Sequence, residues 1–205
     1  MKPLLVEFYG GPASGKSATS LALVALLKLY LDQYIGSHMR VEYVSEAAKD
    51  DVWESGKLML GNQARLLGEQ FRRMDRLRSK VDIIVSDSPL WLCEYYAPKS
   101  LYPTSPWREV IRAHYAGFRV LPFLVQRTGR FEAVGRVQDE VESASAHEVI
   151  ADIARREFGS GLIEMAADPR TPYRVIKLLG DRADIPAERP TPSFAHWYAR
   201  EIEAM

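Results

Sequence analysis

The 205-residue chain contains one cysteine, Cys93, so neither a disulfide framework nor a thiolate metal site can be built within one copy. That usage points to a reducing, cytoplasmic setting, with Cys93 a small buried apolar residue rather than a nucleophile. The four histidines, His38, His114, His147 and His196, are scattered without the spacing that joins metal ligands. No apolar run approaches the ~20 residues of a membrane span, so no membrane partner is expected. The first residues enter a strand-like segment directly, with no signal-peptide pattern ahead of it. The tetrapeptide Asn-Lys-x-Asp, which reads guanine, is missing, and that excludes an ordinary GTPase. Internal repeats and low-complexity tracts are missing too.

Net charge is also lacking: 27 Lys and Arg balance 27 Asp and Glu, which argues against tight nonspecific binding to nucleic acid. The balance hides an asymmetry. Between residues 61 and 131, twelve basic residues stand against six acidic ones. A basic middle suits an anionic ligand, although any one of these arginines can simply solvate a helix face. With 47% hydrophobic and 26% charged residues, the chain reads as a single globular domain over 1–205. Its prolines cluster mainly at 98–106 and 169–192 and punctuate loops.

What is present begins with Gly-Gly-Pro-Ala-Ser-Gly-Lys-Ser at residues 10–17, which fits G-x-x-x-x-G-K-[ST]. Such a loop turns backbone N–H groups inward around an anion, and its glycines allow φ values and close approaches that a Cβ would obstruct. Gly10, Gly11, Pro12, Ala13, Ser14, Gly15, Lys16, Ser17 and Ala18 are the candidate nucleotide cradle. Lys16 is placed to reach the β- and γ-phosphates of ATP, and the Ser17 hydroxyl to ligate Mg²⁺. Context agrees: Pro3 to Tyr9 is β-prone and apolar, and Ala18 to Tyr34 is helix-forming. Strand, loop and helix put the phosphates at a helix N-terminus.

Further strands are predicted at Arg40 to Val44, Val81 to Val85, Arg119 to Val125 and Tyr173 to Leu179. Helices are predicted at Ala47 to Glu54, Asn62 to Ser79, Trp107 to Tyr115, Ala144 to Phe158 and Ser193 to Ala204. Alternation of this kind implies an α/β fold with a parallel, doubly wound sheet flanked by helices.

Ligands in such sheets sit beyond the carboxyl ends of the strands. Asp87 closes the strand Ile83-Ile84-Val85, where a carboxylate can hold Mg²⁺ or accept a proton from an attacking hydroxyl. Capping of a following helix is its alternative role. Glu46 ends the preceding strand and is a second candidate base, and either carboxylate can take either role. Gln126 to Gln138 carries Arg127, Arg130 and Arg136 with two glycines, the composition of a mobile lid that clamps a transferring phosphoryl group. Trp53, Gln63, Gln70, Arg73 and Trp91 are candidates for reading the acceptor, set against ordinary packing roles. Asp181 and Arg182 follow the predicted fifth strand, where a loop commonly cups adenine.

On GGPASGKS (10–17), VSEAAKDDVWE (44–54), VDIIVSDSPL (81–90) and QRTGRFEAVGRVQDE (126–140), the chain resembles small P-loop kinases of the nucleoside and nucleotide kinase group. It looks similar to phage-encoded 5-hydroxymethyluracil DNA kinases and to nicotinamide riboside kinases. The resemblance implies a three-layer P-loop NTPase fold, a five-stranded sheet ordered 2-3-1-4-5 and an Arg-rich lid near 126–138. Acceptor-side helices would occupy about 47–79, with a loop at 97–106. It implies ATP and Mg²⁺ as cofactors, Lys16 and Ser17 on the nucleotide, and Glu46 or Asp87 activating a hydroxyl. The acceptor would be the hydroxymethyl group of a modified pyrimidine in phage DNA, or a free nucleoside or nucleotide. In the first case the setting is the host cytoplasm. Ser88 stands where thymidylate kinases have arginine, and the Glu-Arg-Ser signature of many deoxynucleoside kinases is missing. A P-loop switch or motor ATPase is the reading from another class, against which the same-chain arginines of the lid count.

Overall fold

The structure is a computed structural model that describes residues 2–29, 31, 38–55, 60–100, 102–127, 140–182, 184 and 185. Five parallel strands make one sheet: β1 Leu4–Tyr9, β2 Val41–Val44, β3 Ile83–Ser86, β4 Arg119–Arg127 and β5 Ile163–Ala167. Their order is β2-β3-β1-β4-β5, so β1 lies between β3 and β4 and the chain crosses over at the middle of the sheet. The register aligns Leu4 with Ile83 and Arg119, and Phe123 with Ile163. The helices are α1 Lys16–Leu29, α2 Ala47–Ser55, α3 Gln63–Asp75, α4 Leu92–Tyr96, α5 Thr104–Tyr115, α6 Glu140–Phe158 and α7 Thr171–Asp181.

Strand alternation divides the apolar residues into two cores and hence three layers. Leu4, Val6 and Phe8 of β1 join Ile83, Val85, Leu121 and Phe123 under Leu23, Val24 and Leu27 of α1 and Val175, Ile176 and Leu179 of α7. Leu5 and Tyr9 point the other way, with Ile84 and Leu124, toward α3, α4, α5 and α6. Among the described residues no helix is long and apolar enough to cross a membrane.

The sheet order matches the expectation, but its fifth strand does not come from the expected residues. Tyr173 to Leu179 lies in helix α7, and β5 is formed by Ile163–Ala167. Val175, Ile176 and Leu179 bury one face at helical spacing, and Pro172 occupies the first turn, where a missing N–H costs nothing. After Ile163 the real strand is made of weak β-formers, Glu164, Met165, Ala166 and Ala167, and pairing with β4 overrides their propensity. The predicted helix Asn62 to Ser79 stops at Asp75, and Ser79 turns the chain with a left-handed φ of 65°. Helix α4 has no counterpart among the predicted helices, and α5 and α6 begin earlier than their predicted starts at Trp107 and Ala144. The predicted closing helix, Ser193 to Ala204, and most of the lid lie outside the described residues.

Candidate functional site

All five strands are parallel, so their carboxyl ends share one edge of the sheet. Gly10 follows β1, Ser45 and Glu46 follow β2, Asp87 follows β3, and Arg127 ends β4 in register with Ala167 of β5. The octapeptide loop runs along this edge into α1. Gly10 has φ 141° and Gly15 φ 90°, conformations that side chains resist. Space forbids side chains there as well. A Cβ on Gly10 would stand 2.7 Å from the Val125 carbonyl oxygen, and one on Gly15 would stand 2.9 Å from the Ala167 Cβ. Ala13 is left-handed too, at φ 59°, a strain of about 1 kcal/mol that the loop absorbs.

Within the loop, Lys16 Nζ donates to the carbonyl oxygens of Gly10 and Gly11, both at 2.8 Å. The ammonium is thereby folded over the cradle that a polyphosphate would enter. The Ser14 hydroxyl is buried without a hydrogen-bond partner among the described residues. From outside, α6 holds the loop: Ser143 Oγ donates to the Pro12 carbonyl at 2.5 Å, and Gly11 N–H donates to His147 Nδ1 at 3.2 Å.

Asp87 is buried, and its Oδ1 has no hydrogen-bond partner among the described residues. An orphaned buried carboxylate oxygen is costly unless a cation or donor completes it. Burial first, then the charge and hydrogen bonding of Asp87 and the charge of Glu46, hold the Tyr43 hydroxyl protonated. Tyr43, Glu46 and Asp87 therefore face one another at the ends of β2 and β3. With Ser17 at the start of α1, the oxygens present match the hard-cation chemistry of Mg²⁺.

The acceptor-side candidates separate sharply. Trp53 on α2 is 67% exposed. Gln63 and Gln70 are buried and spend their amides on structure. Gln63 Nε2 donates to the Leu60 carbonyl at 2.7 Å. Gln70 Oε1 accepts from Ala47 N–H at 2.9 Å, and its Nε2 donates to the Ser45 carbonyl at 3.3 Å. Trp91 is buried against Tyr115, with the guanidinium groups of Arg112 and Arg156 at 5.6 and 5.8 Å from its ring, which leaves no face for a base. Arg73 donates to Glu69, Asp50 and the Ser45 hydroxyl. It lines a groove of about 240 Å³ at the end of β2 with Tyr43, Ser45, Glu69, Arg72 and Arg76.

Asp181 and Arg182 do not follow a fifth strand. With 173–179 helical, they end α7 at the amino edge of the sheet, away from the octapeptide loop. Asp181 accepts from Lys177 Nζ, and Arg182 pairs with Asp184, which also binds Arg119, the first residue of β4. The segment that follows the true fifth strand is Asp168-Pro169-Arg170, beside Gly15 through Ala167. Arg127 ends β4 at the carboxyl edge of the sheet, whereas Arg130 and Arg136 lie outside the described residues.

Four residues of the site region escaped sequence reasoning: Tyr43, Ser143, His147 and Glu7. Glu7 sits fully buried in β1, where Tyr9 and Tyr115 donate to its carboxylate at 2.9 Å. Burial dominates and raises its pKa to about 8, against the lowering by the two hydroxyls.

No family model matches the chain, and no curated protein does. Solved structures do match. A NadR protein in complex with NR aligns with TM-score 0.62 at 15% identity, over 92% of this chain and 54% of that one. NadR in complex with NAD and AMP-PNP aligns with TM-score 0.62 at 14% identity, over 92% and 51%. The chain thus spans about half the length of these structures. Kti12 of Chaetomium thermophilum, in complex with ADP-AlF3, aligns with TM-score 0.48 at 20% identity, over 87% and 98%. At these identities the likeness concerns the fold alone: this chain has the three-layer architecture of P-loop NTPases.

Proposed function

We propose that the chain is an ATP-dependent kinase that moves the γ-phosphate to a hydroxyl of a nucleoside-like acceptor. The observation that carries this reading is the loop at 10–17, folded at the carboxyl edge with Lys16 over its carbonyls, at the end of the strand next to the one that Asp87 closes with a buried, unsatisfied oxygen.

In this reading Lys16 leaves the Gly10 and Gly11 carbonyls and moves to the β- and γ-phosphates. Ser17 and Asp87 would hold Mg²⁺, which supplies charge neutralisation on the phosphates. The orphaned, buried oxygen of Asp87 suits metal binding, and that leaves Glu46, half-buried at the end of β2, as the base. The acceptor oxygen bonds to the γ-phosphorus as the bond to the β–γ bridging oxygen breaks. ADP leaves with that oxygen, and the hydroxyl proton passes to the Glu46 carboxylate. Arg127, Arg130 and Arg136 clamp the moving phosphoryl and exclude water.

For the acceptor, a free nucleoside is favoured over a hydroxymethylpyrimidine in phage DNA. NadR, with the same architecture over nearly all of this chain, was solved with NR, and Trp53 offers an exposed aromatic face for a base. The basic middle segment gives little support to a polymer, because acids from outside it pair with its arginines: Asp51 with Arg65, Asp50 with Arg73, Glu157 with Arg112 and Asp184 with Arg119.

The test is γ-labelled ATP with Mg²⁺, offered a nucleoside panel that includes nicotinamide riboside, and separately DNA containing 5-hydroxymethyluracil. Label is expected on a free nucleoside, with about a hundredfold or greater loss in both Lys16→Ala and Asp87→Asn. Label on DNA alone would move the acceptor assignment to the polymer. ATP hydrolysis with no labelled organic product would replace the kinase by a switch or motor ATPase.

A further inference from the structure

Helix α6 touches the outer side of the phosphate loop without an intervening layer of side chains. A Cβ on Gly11 would stand 2.6 Å from the Ser143 carbonyl oxygen and 3.0 Å from the His147 Cβ. Ser143 and His147 are one helical turn apart and both bond the loop, to Pro12 O and Gly11 N–H respectively. The Gly10–Gly11 peptide unit is consequently gripped from two sides. Its carbonyl accepts from Lys16 Nζ at 2.8 Å, and its N–H donates to His147 Nδ1 at 3.2 Å.

We propose that His147 is a positioning residue of the phosphate loop, whose neutral imidazole holds the Gly10–Gly11 peptide plane in place when Lys16 departs for a nucleotide phosphate. The proposal rests on the reading of the loop as a triphosphate cradle. Once Lys16 moves, the carbonyl side of that peptide loses its partner, and the His147 bond is what resists rotation of the plane. Ser143 fixes the Pro12 carbonyl, two peptide units further on, so the α6 face acts as a rigid backing for a loop that must present its amides inward.

The bond needs a lone pair on Nδ1, hence a neutral ring with its proton on Nε2. Partial burial disfavours the imidazolium and lowers the His147 pKa below its usual value. Lys16 and Arg155 act in the same direction, whereas Glu148 on α6 and Glu164 on β5 oppose it. A protonated ring would turn an N–H toward the Gly11 N–H, and the grip would fail. Acidification should therefore weaken nucleotide binding through this residue.

The experiment titrates the full chain with a fluorescent ATP analogue and Mg²⁺, from about pH 7.5 to about pH 5.5, spanning the histidine range. Wild type is compared with His147→Ala, His147→Asn and Ser143→Ala, and thermal midpoints are recorded for each. Asparagine places an amide oxygen where Nδ1 stands, without a titrating ring. His147→Ala should weaken binding about three- to tenfold, the equivalent of one hydrogen bond. His147→Asn should keep wild-type affinity and lose the part of the acid sensitivity that exceeds the analogue's own titration. Unchanged affinity in His147→Ala at every pH would overturn the proposal. So would loss in His147→Asn equal to that in His147→Ala with matching thermal midpoints. If wild type binds no nucleotide at all, the cradle reading itself falls, and this inference with it.

Discussion

Glu7 is a carboxyl group placed in the central strand of a buried sheet, and two tyrosine hydroxyls stand in for water around it. Its pKa, raised from 4.5 to about 8, has a definite consequence for stability. Between those values the folded chain keeps a proton that the unfolded chain has released, so stability falls as pH rises from about 4.5 to about 8. The loss is on the order of a few kcal/mol for a fully buried group. Glu7→Gln should flatten this dependence, which urea unfolding at several pH values would show; a wild-type slope retained in the variant would refute the assignment. At this scale the sequence was legible where chemistry is local. Lys16 and Ser17 announce themselves by spacing alone. Glu7 with Tyr115, and Gly11 with His147, do not, because those partners lie more than a hundred residues apart and meet only through the crossover order. Gln63, Gln70 and Trp91 misled for the matching reason: their partners, hidden in the sequence, consume the groups that a ligand would need.

Among the elements, α7 and β5 show how an ambiguous apolar run is decided. Thr171 at the start of α7 is fully buried; its hydroxyl donates to the Ala166 carbonyl at 2.6 Å and accepts from Asp168 N–H at 3.0 Å. One side chain thus ends the strand and begins the helix. Thr171→Val keeps the volume and orphans both backbone groups, so unfolding free energy should drop by about 1–3 kcal/mol. Denaturant titration would detect that shift, and an unchanged midpoint would mean that the strand-to-helix corner does not depend on this hydroxyl. Elements with strong periodicity, β1 to β4 and α3, were readable within a few residues. The last strand was not, since Met and Ala carry little β signal and their place is set by pairing with β4.

At the scale of the whole molecule, charge that looks segregated along the chain is interleaved in space. Arg108 and Arg156 converge on Glu94, while Arg112 and Arg156 converge on Glu157, joining α4, α5 and α6 around Trp91. With guanidinium groups committed in this way and zero net charge, unmodified duplex DNA should show negligible binding at about 0.15 M salt. Fluorescence anisotropy with a labelled duplex checks this, and tight, salt-sensitive retention would reverse it. The same packing encloses Cys93 on α4, whose thiol is pushed up to about 12 by burial, with Glu46 adding to the rise. One thiol per molecule, buried and held in its unreactive protonated form, is an internal clock for opening. Alkylating reagents would mark it only as fast as the α4 region exposes it, so labelling kinetics with and without ATP would show whether added nucleotide slows that opening.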